Sequence, residues 1–169
     1  GEERLRGKGV SHCASCDAPL LRDKPVVVVG GGDSAAQEAL TLAQAASKVT
    51  ILALGEALTA QATFQARIAE NPKIEVRTGA EIDEILGADG VEGVRFQAPG
   101  GTEELAAAGV FVYVGLTPNT AFLEGLLELA PTGHIPTDAN LRTALPGVLA
   151  AGTVRAGTAK RIHKPGHKF

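Results

Sequence analysis

Pro25-Val26-Val27-Val28-Val29-Gly30-Gly31-Gly32-Asp33-Ser34-Ala35 decides the fold. Four consecutive β-branched residues predict a strand buried on both faces, which is the habit of parallel sheets. The strand runs straight into a glycine loop. Beyond it Ala35, Ala39, Leu42, Ala43 and Ala46 share one helical stripe. Small residues on that stripe let a helix lie close to a sheet. Val49-Thr50-Ile51-Leu52 then reads as a second buried strand, completing one βαβ unit.

Gly30-x-Gly32-x-x-Ala35 has the G-x-G-x-x-G/A form, and its place between strand and helix is the context that gives the pattern meaning. Gly30 suits the tight turn. Gly32 lets backbone approach a pyrophosphate, and Ala35 lets the helix pack. Unpaired N–H groups at the helix start would hold phosphates. Gly30, Gly31, Gly32, Asp33, Ser34 and Ala35 are therefore candidate cofactor contacts. The same loop could also be a glycine turn that binds nothing. The ribose end departs from the pattern. An Asp or Glu about 20 residues on usually holds the ribose, and an Arg accepts a 2′-phosphate. Here the second strand ends Leu52-Ala53-Leu54-Gly55-Glu56, and no Arg appears until Arg67. Glu56 becomes the candidate ribose contact, and NADH is favoured over NADPH.

Further along, Gln61 to Ala69 predicts a helix stopped by Asn71-Pro72. Ile74 to Arg77 alternates as a strand. Glu81 to Leu86 and Gly93 to Gln97 are separated by Ala88-Asp89-Gly90 and followed by Pro99-Gly100-Gly101, which predicts an antiparallel meander. Val110 to Val114 is another buried strand ending at Gly115. Prolines punctuate the rest, with one short apolar strand expected at Val148 to Ala150. Residues 1–24 read as polar and irregular.

Cys13-Ala14-Ser15-Cys16 lies in that first stretch, with Asp17 directly after it. Three chemistries fit. A redox dithiol uses the motif to lower a thiol pKa. Half of a zinc site is the second, since His163 and His167 have H-x3-H spacing and His12 adjoins Cys13. The two halves lie far beyond the gap of about 12–15 residues seen in a finger, and no metal site is assigned. The third is a pair of structural thiols. A C-x-x-C ahead of a nucleotide-binding βαβ unit points to redox. Asp17 suits proton transfer to a reacting thiol or flavin, or the plain capping of a turn.

The 169 residues carry 16 Lys+Arg and 19 Asp+Glu, a formal charge of −3. That balance argues against a nucleic-acid partner, and without Trp there is little to stack bases on. The 21 glycines exceed the roughly 12 of average usage, as tight turns and close backbone approaches require. No apolar run approaches the roughly 20 residues of a membrane span, so no membrane partner is expected. Two cysteines are too few for a disulfide scaffold, so a cytoplasmic setting is expected. The chain opens on Gly1, which suggests processing or a piece of something longer.

Four stretches in this order carry a resemblance: His12 to Asp17, Val27 to Ala35, Val114-Gly115-Leu116-Thr117-Pro118-Asn119-Thr120, and Pro146 to Gly152. Together they resemble the low-molecular-weight thioredoxin reductases and the related alkyl hydroperoxide reductase flavoproteins, over roughly residues 1–155. The resemblance implies an α/β fold. A Rossmann-like, three-layer NAD(P)H domain would span 1–116 and carry the C-x-x-C, with a parallel sheet plus an antiparallel meander. A remnant of the C-terminal part of an FAD domain would span 117–155, and a basic tail 156–169. It also implies electron flow from NAD(P)H through FAD to a Cys13–Cys16 disulfide, and on to a thioredoxin-like or peroxiredoxin-type protein. Cys16 would be the flavin-proximal thiol, Cys13 the thiol attacking the partner, and Asp17 the acid. Gly115, Asn119, Gly152 and Thr153 would be further cofactor contacts.

The departures bear on FAD. The family's first glycine-rich loop belongs before Gly1. Thr153 replaces the Asp that follows the Ala-Ala-Gly turn, and Ala18 replaces a Gly. The 2′-phosphate arginines are missing, and a tail from Lys160, expected to be mobile, replaces the closing helix. The implied outcomes are a reductase portion completed by a longer chain or a separate FAD-binding portion, an NAD(H)-binding module without turnover, or a decayed product. The family is typically dimeric through its FAD domains, so a homodimer is among its implications.

Overall fold

The valine run is a strand whose alternate side chains enter two different cores. Val26 and Val28 join a cluster built largely from helix alanines, and Val27 and Val29 join a cluster with Val94 and Phe96. All four are at most 8% exposed. A two-fold side-chain period between two apolar layers explains why this stretch needs no polar alternation.

The computed structural model describes residues 1–115 and 117–157. The chain divides after Gly115 into two compact units. In chain order the first unit contains β1 (Val10–Ser11), α1 (Ala14–Asp17), β2 (Pro25–Val29), α2 (Asp33–Leu42), β3 (Lys48–Ala53), α3 (Ala62–Ala69), β4 (Ile74–Thr78), β5 (Glu81–Leu86), β6 (Gly93–Ala98), β7 (Gly101–Ala106) and β8 (Gly109–Val112). Five strands form a sheet in the order β1-β8-β2-β3-β4, with every pairing parallel. β5-β6-β7 form the antiparallel meander. Helices, parallel sheet and meander are three layers, and each interface holds one of the two cores.

α2 presses Ala35, Ala36, Ala39 and Leu42 against the sheet. Ala43 and Ala46 continue that buried stripe beyond the last helical turn. α3 ends where Asn71 turns the chain, its Oδ1 accepting the Lys73 N–H at 3.0 Å. Arg95 spans the meander, paired with Glu84 at 2.8 Å and Glu104 at 2.9 Å. Arg77 of β4 pairs with Glu75 at 2.7 Å and with Glu103 of β7 at 2.8 Å, so the sheet edge is tied to the meander.

Four segments differ from the sequence reading, the first being the strand expected at Val110 to Val114, which is β8 over Gly109–Val112 with Val114 73% exposed beyond it. Residues 1–24 are ordered: Leu5 and Val10 are buried, and β1, α1 and a 3-10 turn at Ala18–Leu21 form there. β1 has two residues, too few for a period to show. β7 is a full third strand behind the Pro99-Gly100 turn, mostly exposed and polar, so only the turn announced it. The strand expected at Val148 to Ala150 is instead a single bridge, Arg142 with Leu149. Leu149 is 66% exposed there.

The second unit is held by a small core of Leu127, Ile135 and Ala150 with Leu123, Leu129 and Val154 against it. Polar links do much of the fastening. Thr120 Oγ1 donates to the Gly133 carbonyl at 2.6 Å, and Asp138 Oδ1 accepts the N–H groups of Asn140 and Arg142. Phe122 and Leu126 stand exposed. The tail from Lys160, with His163 and His167, lies outside the described residues. Among the described residues no helix is long and apolar enough to cross a membrane.

Candidate active site

The carboxyl ends of β1, β8, β2 and β3 lie along one edge of the parallel sheet. The strand order reverses at β2, and ligands of open α/β sheets bind at such a point, outside the carboxyl ends. The chain leaves β2 into Gly30 and leaves β1 into His12 and Cys13. The order β1-β8-β2 separates those exits by two strand spacings, about 10 Å. The glycine loop and the cysteine pair, distant motifs in sequence, therefore share one edge.

Gly30 has φ +131°, and a Cβ on it would collide with the carbonyl oxygen of Tyr113. Glycine is required there by the chain's own backbone. Gly32 is different. A Cβ there would meet nothing nearer than Thr59 Oγ1 at 3.9 Å. Glycine at that position leaves an open cradle in front of α2, whose N-terminus has no side-chain cap. Unpaired N–H groups beside open space suit a pyrophosphate, so these residues fit a pyridine nucleotide. The loop after β3 folds back on the cradle: the Thr59 and Ala60 N–H groups donate to the Gly31 carbonyl at 2.8 and 3.1 Å.

Asp33 stands in the first turn of α2, but its carboxylate is engaged. Oδ1 accepts the Gln61 N–H and Oδ2 the Gln61 side-chain amide, each at 2.7 Å. It thus joins the start of α2 to the start of α3. Ser34 is exposed and Ala35 buried. Ala53 is 1% exposed at the end of β3, and Glu56 is exposed in the loop beyond.

Cys13 and Cys16 are joined in a disulfide, Cα atoms 5.3 Å apart, one turn of α1 between them. Cys13 is half-buried and Cys16 exposed. Ser11 Oγ accepts the Cys13 N–H at 3.0 Å. His12 Nδ1 donates to the Val112 carbonyl at 3.1 Å, and its Nε2 lies 3.6 Å from Glu2. Asp17, half-buried, ends α1.

Tyr113 was not singled out by sequence, and it links the two motifs. Its N–H donates to the Val29 carbonyl at 2.8 Å. Its hydroxyl accepts the Ala14 N–H at 3.2 Å, inside the C-x-x-C. Burial pushes the phenol up to about 12, the Glu38 and Asp17 charges add to this, and the Ala14 N–H works against it. Gln61 was missed as well, since a residue before a helix carries no sign of a partner on another element.

A family model described as pyridine nucleotide-disulphide oxidoreductase matches residues 1–166. The chain belongs to that family. Among curated relatives, the chain is 41% identical to the F subunit of the alkyl hydroperoxide reductase of Pseudomonas putida, over 96% of this chain and 32% of that protein. It is 41% identical to a thioredoxin reductase of Peptoclostridium litorale, over 96% of this chain and 54% of that protein. The solved thioredoxin reductase of Lactococcus lactis superposes with a TM-score of 0.90 at 37% identity, covering 94% of this chain and 54% of that one. The chain thus spans about half the length of these thioredoxin reductases and about a third of the hydroperoxide reductase protein.

The Rossmann-like fold of this member of the family brings Cys13, Cys16, Asp17 and Gly30 to Ala35 to one edge of its first unit. Gly115, exposed, closes that unit. Asn119, Gly152 and Thr153 belong to the second, all exposed or partly so, with Gly152 at φ +79° opening a 3-10 turn. Among the described residues no three His, Cys, Asp or Glu gather as metal ligands.

Proposed function

We propose that the chain is the nucleotide-binding and dithiol portion of a thioredoxin-reductase-like enzyme. Electrons from NAD(P)H reach the Cys13–Cys16 disulfide and pass to a disulfide protein of thioredoxin or peroxiredoxin type. The observation that carries this reading is the shared sheet edge: an open glycine cradle and a cysteine pair joined through Tyr113. The cradle binds pyrophosphate with the α2 N-terminus and the loop Gly30 to Gly32, and Ser34 has an exposed face for a phosphate oxygen. Glu56 takes the ribose. Cys13 attacks the partner disulfide, and Asp17 moves the proton that leaves with the thiol.

A flavin, when bound, accepts hydride and hands on two electrons, which a disulfide cannot do for a nicotinamide at a useful rate. The exposure of Cys16 suits a sulfur that faces a flavin. In the second unit Asn119, Gly152 and Thr153 offer part of an FAD site, with a hydroxyl where the family carries a carboxylate. The rest of the site would come from further FAD-binding chain, contiguous or separate, and a homodimer would follow the family's habit. A cytoplasmic location fits a cysteine pair kept for exchange.

A second reading, an NAD(H)-binding module without turnover, is favoured by Thr153 and by Ala53, which removes the usual ribose carboxylate. Three measurements separate the readings, and the first is exchange of the Cys13–Cys16 pair with a small thiol, counted by alkylation. Absorption spectra after adding FAD and desalting report flavin retention, and titration with NADH followed by nicotinamide fluorescence reports nucleotide binding. NADH binding with a Cys13–Cys16 pair that exchanges with thiols supports the reductase portion. An inert pair beside a working nucleotide site supports the module. Absence of both sinks the proposal.

A further inference from the structure

We propose that Tyr113 is a positioning residue for the Cys13–Cys16 couple, its hydroxyl holding α1 in the turn that closes the disulfide. The inference rests on the redox reading of the pair given above.

The root of the side chain is fixed. The Tyr113 N–H is bonded to Val29, and its carbonyl oxygen fills the space that a Cβ on Gly30 would take. The ring packs against the helix-side core, and Ala14 belongs to that core with no exposed surface. Two successive backbone donors of the motif therefore end on hydroxyls, Cys13 N–H on Ser11 and Ala14 N–H on Tyr113. Water has no access to Ala14 to replace the phenol. α1 has only four residues, so its own hydrogen bonds are few: Asp17 N–H to the Cys13 carbonyl at 3.2 Å and the following N–H to Ala14. Burial holds the phenol above its ordinary range, which suits a constant acceptor rather than a switch.

The two redox states depend on this bond unequally. With the sulfurs joined, the turn is locked and the Ala14 N–H has nowhere else to go. With the sulfurs apart, the cross-link no longer fixes the first turn, and the Ala14 N–H is free to turn to another partner. Deleting the phenol oxygen should therefore penalise the disulfide more than the dithiol.

The test equilibrates the full chain and Tyr113→Phe in mixtures of reduced and oxidised dithiothreitol. One reduced dithiothreitol gives two electrons and two protons and closes to its cyclic disulfide, while the Cys13–Cys16 bond opens to two thiols. Thiols are counted by alkylation and mass. The reduced-to-oxidised ratio at half-reduction should fall about tenfold in the variant, the factor expected for one buried donor left unpaired in a single state. A ratio within twofold of the parent overturns the inference while leaving the redox reading standing. A parent whose pair never opens across the range overturns both. Should Tyr113→Phe not fold, hydrogen exchange in the parent decides. Ala14 should exchange at least about tenfold more slowly in the disulfide form than in the dithiol form, and equal rates overturn the inference.

Discussion

Gly30 and Gly32 sit two residues apart and answer to different masters. Gly30 is held by the chain itself, through φ +131° and the Tyr113 carbonyl beside it. Gly30→Ala should cost about 2–3 kcal/mol in urea unfolding, from left-handed strain and the collision. Gly32 has open space instead, so Gly32→Ala should keep the melting temperature within about 1–2 °C and weaken NADH at least tenfold in calorimetry. If both variants lose only stability, the cradle binds no nucleotide. The ribose end carries its own expectation. From Ala53 to Ala66 there is no cation, and Glu56 adds a negative charge. NADH should bind more tightly than NADPH, and Glu56→Lys should narrow the gap; a parent that prefers NADPH would refute this. The sequence showed these positions because glycines and an absent arginine are visible in a string of letters. It could not show Tyr113 or the Asp33–Gln61 pair, because each is defined by a partner that only tertiary packing supplies. Asp33, a candidate cofactor contact by its place in the glycine loop, also ties the start of α2 to the start of α3.

Strands with two buried faces were the easiest elements to foresee, and β2 and β3 lie within a residue of their expected limits. α3 begins one residue after the expected start, because Gln61 stands just outside it and bonds Asp33. β1 and β7 escaped for opposite reasons, one too short for a pattern and one too polar for it. The β4 edge has a measurable electrostatic signature. The hydrogen bonds of Lys48 and Arg77 hold the Glu75 carboxyl below the usual carboxylate range. A depressed folded pKa means this contribution is present above the unfolded value and is lost as pH falls through the folded one. Urea unfolding between pH 7 and pH 3 should show a steeper acid-side loss for the parent than for Glu75→Gln. The difference will be small, because the pair is exposed to solvent. Identical slopes would mean that the bridges contribute nothing.

The division after Gly115 separates a densely cored Rossmann-like unit from one whose apolar core, among the described residues, is three buried side chains. The contrast follows from composition along the chain, continuous apolar strands first and scattered prolines afterwards. The first unit was readable from periodicity. The second was not, since loops fastened by single side-chain bonds leave no period. A dithiol and a nucleotide site without a flavin do not make a turnover cycle. The purified chain, without added flavoprotein, should therefore show no NADH-dependent reduction of a disulfide dye. Rapid reduction would overturn that expectation. The brevity of β1 bears on how the fold breathes. β1 has two register pairs with β8, at Val10 and Ser11, whereas β2 is bonded along its length on both sides. Amides of β2 should exchange with solvent hydrogen only through global unfolding, and those of β1 through a much smaller local opening. Exchange at β1 then reports local opening beside the cysteine pair, and exchange at the glycine loop, rooted in β2, reports unfolding of the whole unit.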